Sequence, residues 1–308
     1  MKPLDSKQSI IVLVFVSVLT VFFVAVFFSS AYLLEAGRMS KKIAETPAPK
    51  KILPDPFQDI SLEAKAAYVF DMRTGKTLFA RNEESQLPLA SLTKVMTALV
   101  ASEMPADTVV AFTGGEKWKL KELLDYTLVV SSNNGASAIA GVAGAMFSTT
   151  TGKTGAEDME LFVWKMNEEA RALRLSQTYY LNPSGLDVDE TLSGAYGSAK
   201  DMAFLFAHVL KNKPALLEAT AYDSLRFNSL DGASHPAANT NVIARTIPGL
   251  LASKTGFTDL AGGNLIIAFD AGPARPIIVA VLGSSQTGRF TDVEKIITAS
   301  VKKIGQGE

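Results

Sequence analysis

The 308-residue chain contains no cysteine, which excludes disulfide frameworks, thiolate nucleophiles and cysteine-ligated metal centres. Only two histidines occur, and no His-Glu-x-x-His pattern is present, so a zinc hydrolase is not predicted. His208 lies in an amphipathic helical pattern and is expected to be structural, whereas His235 precedes a proline and is expected to lie exposed in a turn-rich stretch. The net charge of −1 provides no basic field for nucleic acid. We therefore expect no cysteine-ligated or His-Glu-x-x-His zinc site and no nucleic-acid partner.

A long hydrophobic run lies near the N-terminus. Residues 10–28 are nearly all Ile, Val, Leu and Phe, and the uncharged apolar character extends to Leu34. At about 1.5 Å per residue, such a helix can span a bilayer core of roughly 30 Å. A cleaved signal peptide is the alternative, because Ser29-Ser30-Ala31 resembles a cleavage site, although signal h-regions are usually only about 7–15 residues long. The run predicts a single-pass transmembrane anchor over residues 10–34, after a short tail of residues 1–9.

Basic residues flank this run on both sides. Lys2 and Lys7 precede it, and a larger group follows it: Arg38, Lys41, Lys42, Lys50 and Lys51. A positive-inside count would leave the rest of the chain cytoplasmic, whereas large domains can translocate despite nearby charge. Residues 35–56 are rich in lysine and proline and poor in large apolar residues, which is typical of a flexible stalk. The folded domain is expected over residues 57–305.

The pattern of the remaining chain predicts a mixed α and β fold. Residues 66–72 and 76–80 surround an Arg-Thr-Gly turn and are typical of a β-hairpin. Helical patterns dominate from residue 91 to about 210, and two apolar strands follow at 265–270 and 276–283. Residues 292–304 predict a closing helix. Strands at both ends of a helical middle favour one sheet that the two ends share.

Ser91-Leu92-Thr93-Lys94 is the first of three motifs that carry chemistry, and it opens an apolar helical pattern. Residues three apart on a helix share a face, so Lys94 could reach the hydroxyl of Ser91. A serine is a poor nucleophile until a base takes its proton, and lysine can serve only if burial or another cation lowers its pKa. Ser-x-x-Lys is expected by chance roughly once in such a chain. A second copy, Ser300 to Lys303, lacks an apolar pocket and is expected to be silent.

Ser131-Ser132-Asn133 is the second motif, and together with Asn134 it forms a stretch of four polar residues between apolar runs. A helix N-cap would explain one serine or asparagine, but not four consecutive polar residues. In a catalytic interpretation, Ser131 shuttles a proton and Asn133 binds a substrate amide.

Lys254-Thr255-Gly256 is the third motif, and strongly apolar strands follow it. On an edge strand, Gly256 would let a substrate backbone approach closely. Lys254 would supply the second cation, and Thr255 would bind a substrate carboxylate. A second copy at residues 153–155 lies in a Thr/Gly-rich loop and is expected to be silent.

These three motifs, in this order, resemble the low-molecular-mass penicillin-binding proteins, the serine-type D-alanyl-D-alanine carboxypeptidases. Further segments are similar to that family: Gly75-Lys-Thr-Leu-Phe, Asn182-Pro-Ser-Gly-Leu-Asp and Asn239-Thr-Asn. The resemblance implies a β-lactamase/transpeptidase-like fold, in which helices flank an antiparallel sheet, and an acyl-serine intermediate. It also implies an oxyanion hole formed by the backbone N–H groups of Ser91 and Phe257, and it implies no metal and no cofactor. The implied substrate is a peptidoglycan stem peptide ending in D-Ala-D-Ala, with β-lactams as covalent inhibitors. The implied location is the outer side of the cytoplasmic membrane.

The chain departs from the family pattern in two places near the site. Asn134-Gly135 stands where the family usually has Asp-Ala, and the segment between Ser91 and Ser131 is shorter than usual, which would reduce one wall of the cleft. A D,D-endopeptidase with the same motifs remains an alternative, as does a catalytically silent wall-binding protein. A β-lactamase is disfavoured, because no Glu-x-x-Leu-Asn segment supplies a deacylating glutamate.

Overall fold

The computed structural model describes residues 5–44, 53–148 and 154–307 and contains two compact units that divide between Leu53 and Pro54. In the first unit, helix α1 spans Ser6–Ala44. Within the described part of the chain, it is the helix that is long and apolar enough to cross a membrane, a property that an N-terminal signal sequence shares. Residues 35–44, assigned above to the stalk, are the last part of this helix. Residues 45–52 of the predicted stalk and 1–4 of the predicted tail lie outside the described residues.

The second unit alternates short strands with helices. Its helices are α2 (Lys94–Ala101), α3 (Leu120–Val129), α4 (Asn133–Phe147), α5 (Gly155–Ala172), α6 (Ala199–Asn212) and α7 (Gly288–Gly305). Its long and short strands are β1 (Ala66–Asp71), β2 (Lys76–Arg81), β3 (Leu87–Pro88), β4 (Val109–Ala111), β5 (Lys117–Lys119), β6 (Tyr179–Tyr180), β7 (Ala195–Gly197), β8 (Ser224–Asn228), β9 (Ser234–Ala238), β10 (Leu250–Thr258), β11 (Gly262–Asp270) and β12 (Pro276–Ser284).

The central sheet joins the two ends of the domain. Its five strands pair antiparallel in the order β10-β11-β12-β1-β2. The predicted hairpin, the two apolar strands and the closing helix are confirmed, each within a few residues of its expected bounds. Gly75 lies in the β1–β2 turn with φ at +70°, a conformation that glycine adopts without steric cost. The prediction of one shared antiparallel sheet is therefore correct.

Both faces of the sheet are covered, and this explains the continuous apolar runs of β11 and β12. On β11, Leu265 and Ile267 pack in one core with Val293 of α7, whereas Ile266 and Ala268 belong to the larger core shared with the helical region. A strand buried on both faces has no polar alternation, because no side of it meets water. The third motif lies on β10, at the edge of this sheet, as predicted.

Candidate active site

The predicted nucleophile lies in a 3-10 turn, Ala90–Thr93, that continues into α2. Ala90 has φ at +49°, the left-handed region that is unfavourable for a residue with a Cβ atom. Strain of this kind persists only where the surrounding structure fixes it, and it is common at functional sites. Ser91 is half-buried, and its Oγ lies 2.8 Å from Nζ of Lys94. The fold thus brings together the two residues that the spacing predicted to meet.

Lys94 is fully enclosed, with 1% of its surface exposed. Besides Ser91 Oγ, its Nζ contacts Oδ1 of Asn133 and the backbone oxygen of Ser184, both at 2.7 Å. Burial disfavours the charged form and lowers the pKa of Lys94 to about 7. In the neutral amine, two N–H groups can donate to Asn133 and Ser184, which leaves the lone pair facing Ser91. Lys94 is therefore placed to take the serine proton near neutral pH.

The polar residues of the second motif have separate structural tasks. Ser132 is the N-cap of α4, and its Oγ accepts a hydrogen bond from the Gly135 N–H at 3.0 Å. Ser131, just before the cap, has φ at +60°, and its Oγ lies 2.9 Å from Nζ of Lys254. Asn133 begins the helix and points its amide oxygen at Lys94. Only Ser132 is explained by capping alone, whereas its two neighbours face the lysines.

Gly135, one of the departures from the family pattern, is explained by its neighbour on α3. A Cβ atom at this position would lie 2.1 Å from Oγ1 of Thr127, closer than real side chains pack. Thr127 is buried, and its hydroxyl has no hydrogen-bond partner among the described residues. The threonine therefore occupies the space that an alanine at position 135 would need, and the two residues match in size.

Lys254 is the second buried lysine, also 1% exposed. Its Nζ lies 2.9 Å from Ser131 Oγ and donates to the backbone oxygen of Thr255 at 2.8 Å. Burial lowers the pKa of Lys254 well below its ordinary value, and the nearby cations Lys94 and Arg289 lower it further. At Lys94 the cause is burial. The second lysine, which was expected to help depress the pKa of the first, is thus not the main reason for it.

The rest of the third motif packs tightly against the nucleophile turn. Oγ1 of Thr255 lies 2.6 Å from Oγ1 of Thr240, a residue of the Asn-Thr-Asn segment. A Cβ atom on Gly256 would lie 2.9 Å from the Leu89 oxygen and 3.2 Å from the Ser91 nitrogen. Glycine is therefore required here because the protein's own nucleophile turn approaches the strand. A close approach by a substrate backbone was expected at Gly256, whereas the nearest atoms belong to the protein itself.

The contact between Lys94 and the Ser184 carbonyl was not predicted, although the segment that contains Ser184 was identified in the sequence. The loop Asn182–Leu186 supplies the Ser184 carbonyl to Lys94, and the Asn182 side chain holds the loop by accepting from the N–H groups of Ser184 and Gly185. Gly185 has φ at +73°, and a Cβ atom there would lie 1.9 Å from the Ala90 oxygen. The Asn-Pro-Ser-Gly pattern was the available signal, but nothing in it identifies a backbone carbonyl as a ligand for lysine.

The structure gives both duplicate motifs ordinary structural roles. Ser300 is fully buried on α7, and its hydroxyl donates to the Ile296 oxygen at 2.8 Å, one helical turn earlier. Lys153 lies outside the described residues, but Thr154 is the N-cap of α5 and forms a capping box with Glu157. Thr154 and Gly155 of the second Lys-Thr-Gly therefore begin a helix.

The expectation of an exposed turn at His235 is wrong. This residue lies in strand β9, half-buried, with its ring 4.9 Å from that of Trp118 and its Nε2 3.1 Å from Glu116. A proline follows it, yet proline is tolerated in a two-stranded ribbon, where one side of each strand needs no partner. His208 is half-buried on α6 and contacts Asn212, consistent with a structural role.

Comparison with known proteins agrees with this geometry. The model of peptidase family S11, described as D-alanyl-D-alanine carboxypeptidase, matches residues 54–108 and 103–286. D-alanyl-D-alanine carboxypeptidase DacF of Bacillus subtilis is 32% identical over 260 residues, which cover 78% of this chain and 62% of the relative. A D-alanyl-D-alanine endopeptidase of Pseudomonas aeruginosa is 27% identical over 268 residues, 78% of each chain. The structure of penicillin-binding protein D2 from Listeria monocytogenes with ampicillin bound has a TM-score of 0.66 and 26% identity, covering 78% of this chain and 98% of that one.

Proposed function

The chain belongs to the D-alanyl-D-alanine carboxypeptidase family of serine peptidases, and we propose that it removes the terminal D-alanine from peptidoglycan stem peptides through an acyl-serine intermediate. The contact that carries the proposal is the 2.8 Å distance between Ser91 Oγ and Nζ of Lys94, a lysine whose pKa is lowered to about 7 by burial. This pair supplies a nucleophile and a base at neutral pH.

Acylation follows from the positions of the side chains. Neutral Lys94 takes the Ser91 proton while Oγ attacks the carbonyl carbon of the penultimate D-alanine. The developing oxyanion is stabilised by the backbone N–H groups of Ser91 and Phe257, a pairing supported by the close approach of β10 to the nucleophile turn, where a Cβ atom on Gly256 would lie 3.2 Å from the Ser91 nitrogen. Ser131, hydrogen-bonded to Lys254, donates its hydroxyl proton to the leaving amine and is reprotonated with the proton that Lys94 took from Ser91, so the peptide bond breaks and D-alanine departs. Water then hydrolyses the acyl-serine and restores the hydroxyl.

Substrate binding uses the remaining residues of the motifs. Asn133 holds the substrate amide, Thr255 and Lys254 hold the terminal carboxylate, and Gly256 keeps β10 against the nucleophile turn. β-Lactams would acylate Ser91 in the same way. Within the described part of the chain, Lys94 Nζ contacts a serine hydroxyl, an asparagine amide and a backbone carbonyl, and none of these partners is a carboxylate. That environment disfavours a β-lactamase that depends on a glutamate.

A D,D-endopeptidase is the second candidate, favoured by the relative of that name in Pseudomonas aeruginosa. The two activities use the same acylation chemistry and differ in the leaving group. A defined stem pentapeptide and a defined cross-linked dimer should therefore be incubated separately with the chain and analysed by mass spectrometry. We expect the pentapeptide to lose one alanine. Cleavage of the dimer alone would establish the endopeptidase, and no change in either substrate would support a silent wall-binding protein.

The location proposed for this activity is the outer side of the cytoplasmic membrane, with α1 as a single-pass anchor. The substrate class requires it, since cross-linked peptidoglycan lies outside the cell, while the basic residues after the run favour the opposite orientation. Protease added to intact spheroplasts is expected to cut within residues 35–56 and to release a soluble, penicillin-labelled domain. A domain protected until the membrane is lysed would contradict this orientation, and a secreted domain that lacks residues 1–31 would identify a cleaved signal.

A further inference from the structure

Asn264 is a fully buried side chain next to the active site, and none of the three motifs includes it. It lies on β11 directly opposite Gly256 of β10. Its Nδ2 donates to the backbone oxygens of Pro88 and Leu89, each at 3.0 Å, and its Oδ1 accepts from the N–H of Gly283 at 2.8 Å. One side chain thus ties together the neighbouring strands β11 and β12 and the segment that leads into the nucleophile turn.

The Leu89 oxygen has a particular role in that turn. It accepts the hydrogen bond from the Leu92 N–H at 3.2 Å, which closes the turn containing Ser91. It is also the atom nearest to the position that a Cβ of Gly256 would occupy, at 2.9 Å. Asn264 therefore holds the carbonyl that closes the nucleophile turn and that leaves no room for a Cβ atom at Gly256 of the Lys-Thr-Gly strand.

The residue between this carbonyl and the nucleophile is Ala90, in the strained left-handed conformation. A turn of this kind relaxes unless the groups on both sides of it are fixed. Leu89 is held from the other direction by its N–H, which donates to the Ala195 oxygen at 3.0 Å. The two hydrogen bonds from Asn264 thus oppose relaxation of the turn away from β10.

We infer that Asn264 is a positioning residue for acylation, one that sets the spacing between the Ser91 and Phe257 backbone N–H groups that form the oxyanion hole. The inference rests on the proposed function. Its consequence is specific, because misplacing this pair weakens transition-state stabilisation without removing a group that binds the ground-state substrate. A displacement of about 1 Å at such a site can lower the rate roughly a hundredfold.

The test is the acylation of Asn264→Asp and Asn264→Ala by a fluorescent penicillin. The first-order acylation constant at saturating penicillin reports only on folded protein, so partial unfolding does not distort it. We expect a decrease of about ten- to a hundredfold in this constant for both variants. The dissociation constant of the non-covalent complex and the pH midpoint of acylation should stay unchanged, because Lys94 keeps its own contacts.

Asn167→Asp is the matched control, because Asn167 is also a bridging asparagine. Its Nδ2 donates to the Tyr180 oxygen at 2.9 Å and its Oδ1 accepts from the Tyr180 N–H at 2.9 Å, within the α5–β6 region. This variant should lower the thermal midpoint and leave the acylation constant unchanged. An Asn264 variant that is less stable but acylates at the wild-type rate, or that loses only penicillin affinity, overturns the inference. A wild-type chain that takes no penicillin refutes the proposed function itself, and the inference with it.

Discussion

Replacement of Ser91 by alanine is expected to abolish covalent attachment of penicillin and release of D-alanine. The substitution removes the only atom that the proposed mechanism acylates, whereas Lys94 retains its contacts with Asn133 and Ser184. In another serine peptidase, loss of the nucleophile lowers kcat by roughly a million-fold, and an effect of that order is expected here. Fluorescent penicillin on a denaturing gel, together with the intact mass of the protein, measures the result. Thermal unfolding should show that the variant is folded.

Ser300→Ala is the matched control for this prediction, since Ser300 also stands three residues before a lysine. Its hydroxyl is buried and donates within its own helix, so it has no route to a substrate. Labelling of this variant should equal that of the wild type. Label mapped to Ser300, or label retained by Ser91→Ala, would show that the wrong serine has been assigned.

Lys254→Ala should lower the acylation rate by roughly a hundredfold or more, the range typical of removing a proton-transfer partner. The side chain contacts the Ser131 hydroxyl at 2.9 Å and is proposed to bind the substrate carboxylate. Removing it leaves Ser131 without the partner that orients its hydroxyl. The Lys153→Ala variant, in the duplicate Lys-Thr-Gly, should acylate at the wild-type rate. Equal losses in the two variants would mean that the motif at residue 254 has no special role.

The pH dependence of acylation in Lys254→Ala distinguishes two causes of the lowered pKa of Lys94, burial and repulsion by a nearby positive charge. Lys94 acts as a base only when neutral, so wild-type acylation should rise with pH through about 7, the pKa to which burial lowers Lys94. If burial is the cause, the midpoint should stay near this value in Lys254→Ala while the plateau falls. A midpoint that moves upward in the variant would show that the charge of Lys254, rather than burial, sets the pKa of Lys94.

Much of the architecture was predictable because its signals are local. The β1–β2 hairpin is set by two short strand-forming segments around the Arg-Thr-Gly turn, and β11 and β12 by long apolar runs separated by turn residues. The closing helix α7 follows from apolar spacing near the end of the chain. The turn assigned around His235 is the counter-example: β8 and β9 form a two-stranded ribbon that packs on Trp118, more than a hundred residues away in sequence. Local composition carried no information about that contact, and tertiary packing overrode it.

The three motifs were recognisable for the same reason, since each places its functional groups within a few residues. Local context favoured Ser91 over Ser300, and the fold supplies the physical basis for that choice. Ser91 and Ser300 have the same local spacing to a lysine, and only the fold encloses Lys94 while Ser300 bonds within its own helix. Gly256 is a second example. The sequence predicted that this position needs a glycine, but only the fold shows that the group approaching it is the Leu89 carbonyl.

The residues alone were enough to predict the proposed chemistry and the order of its parts: a serine and a lysine one turn apart, a polar turn before a helix, and a Lys-Thr-Gly edge strand. Whether the lysine can act as a base near neutral pH depends instead on how the whole domain packs. The pKa of Lys94 falls because residues distant in sequence bury it, and its lone pair is aimed by Asn133 and by the Ser184 carbonyl. Burial and backbone contacts of this kind depend on how segments as far apart as residues 94 and 184 pack, which no local pattern specifies.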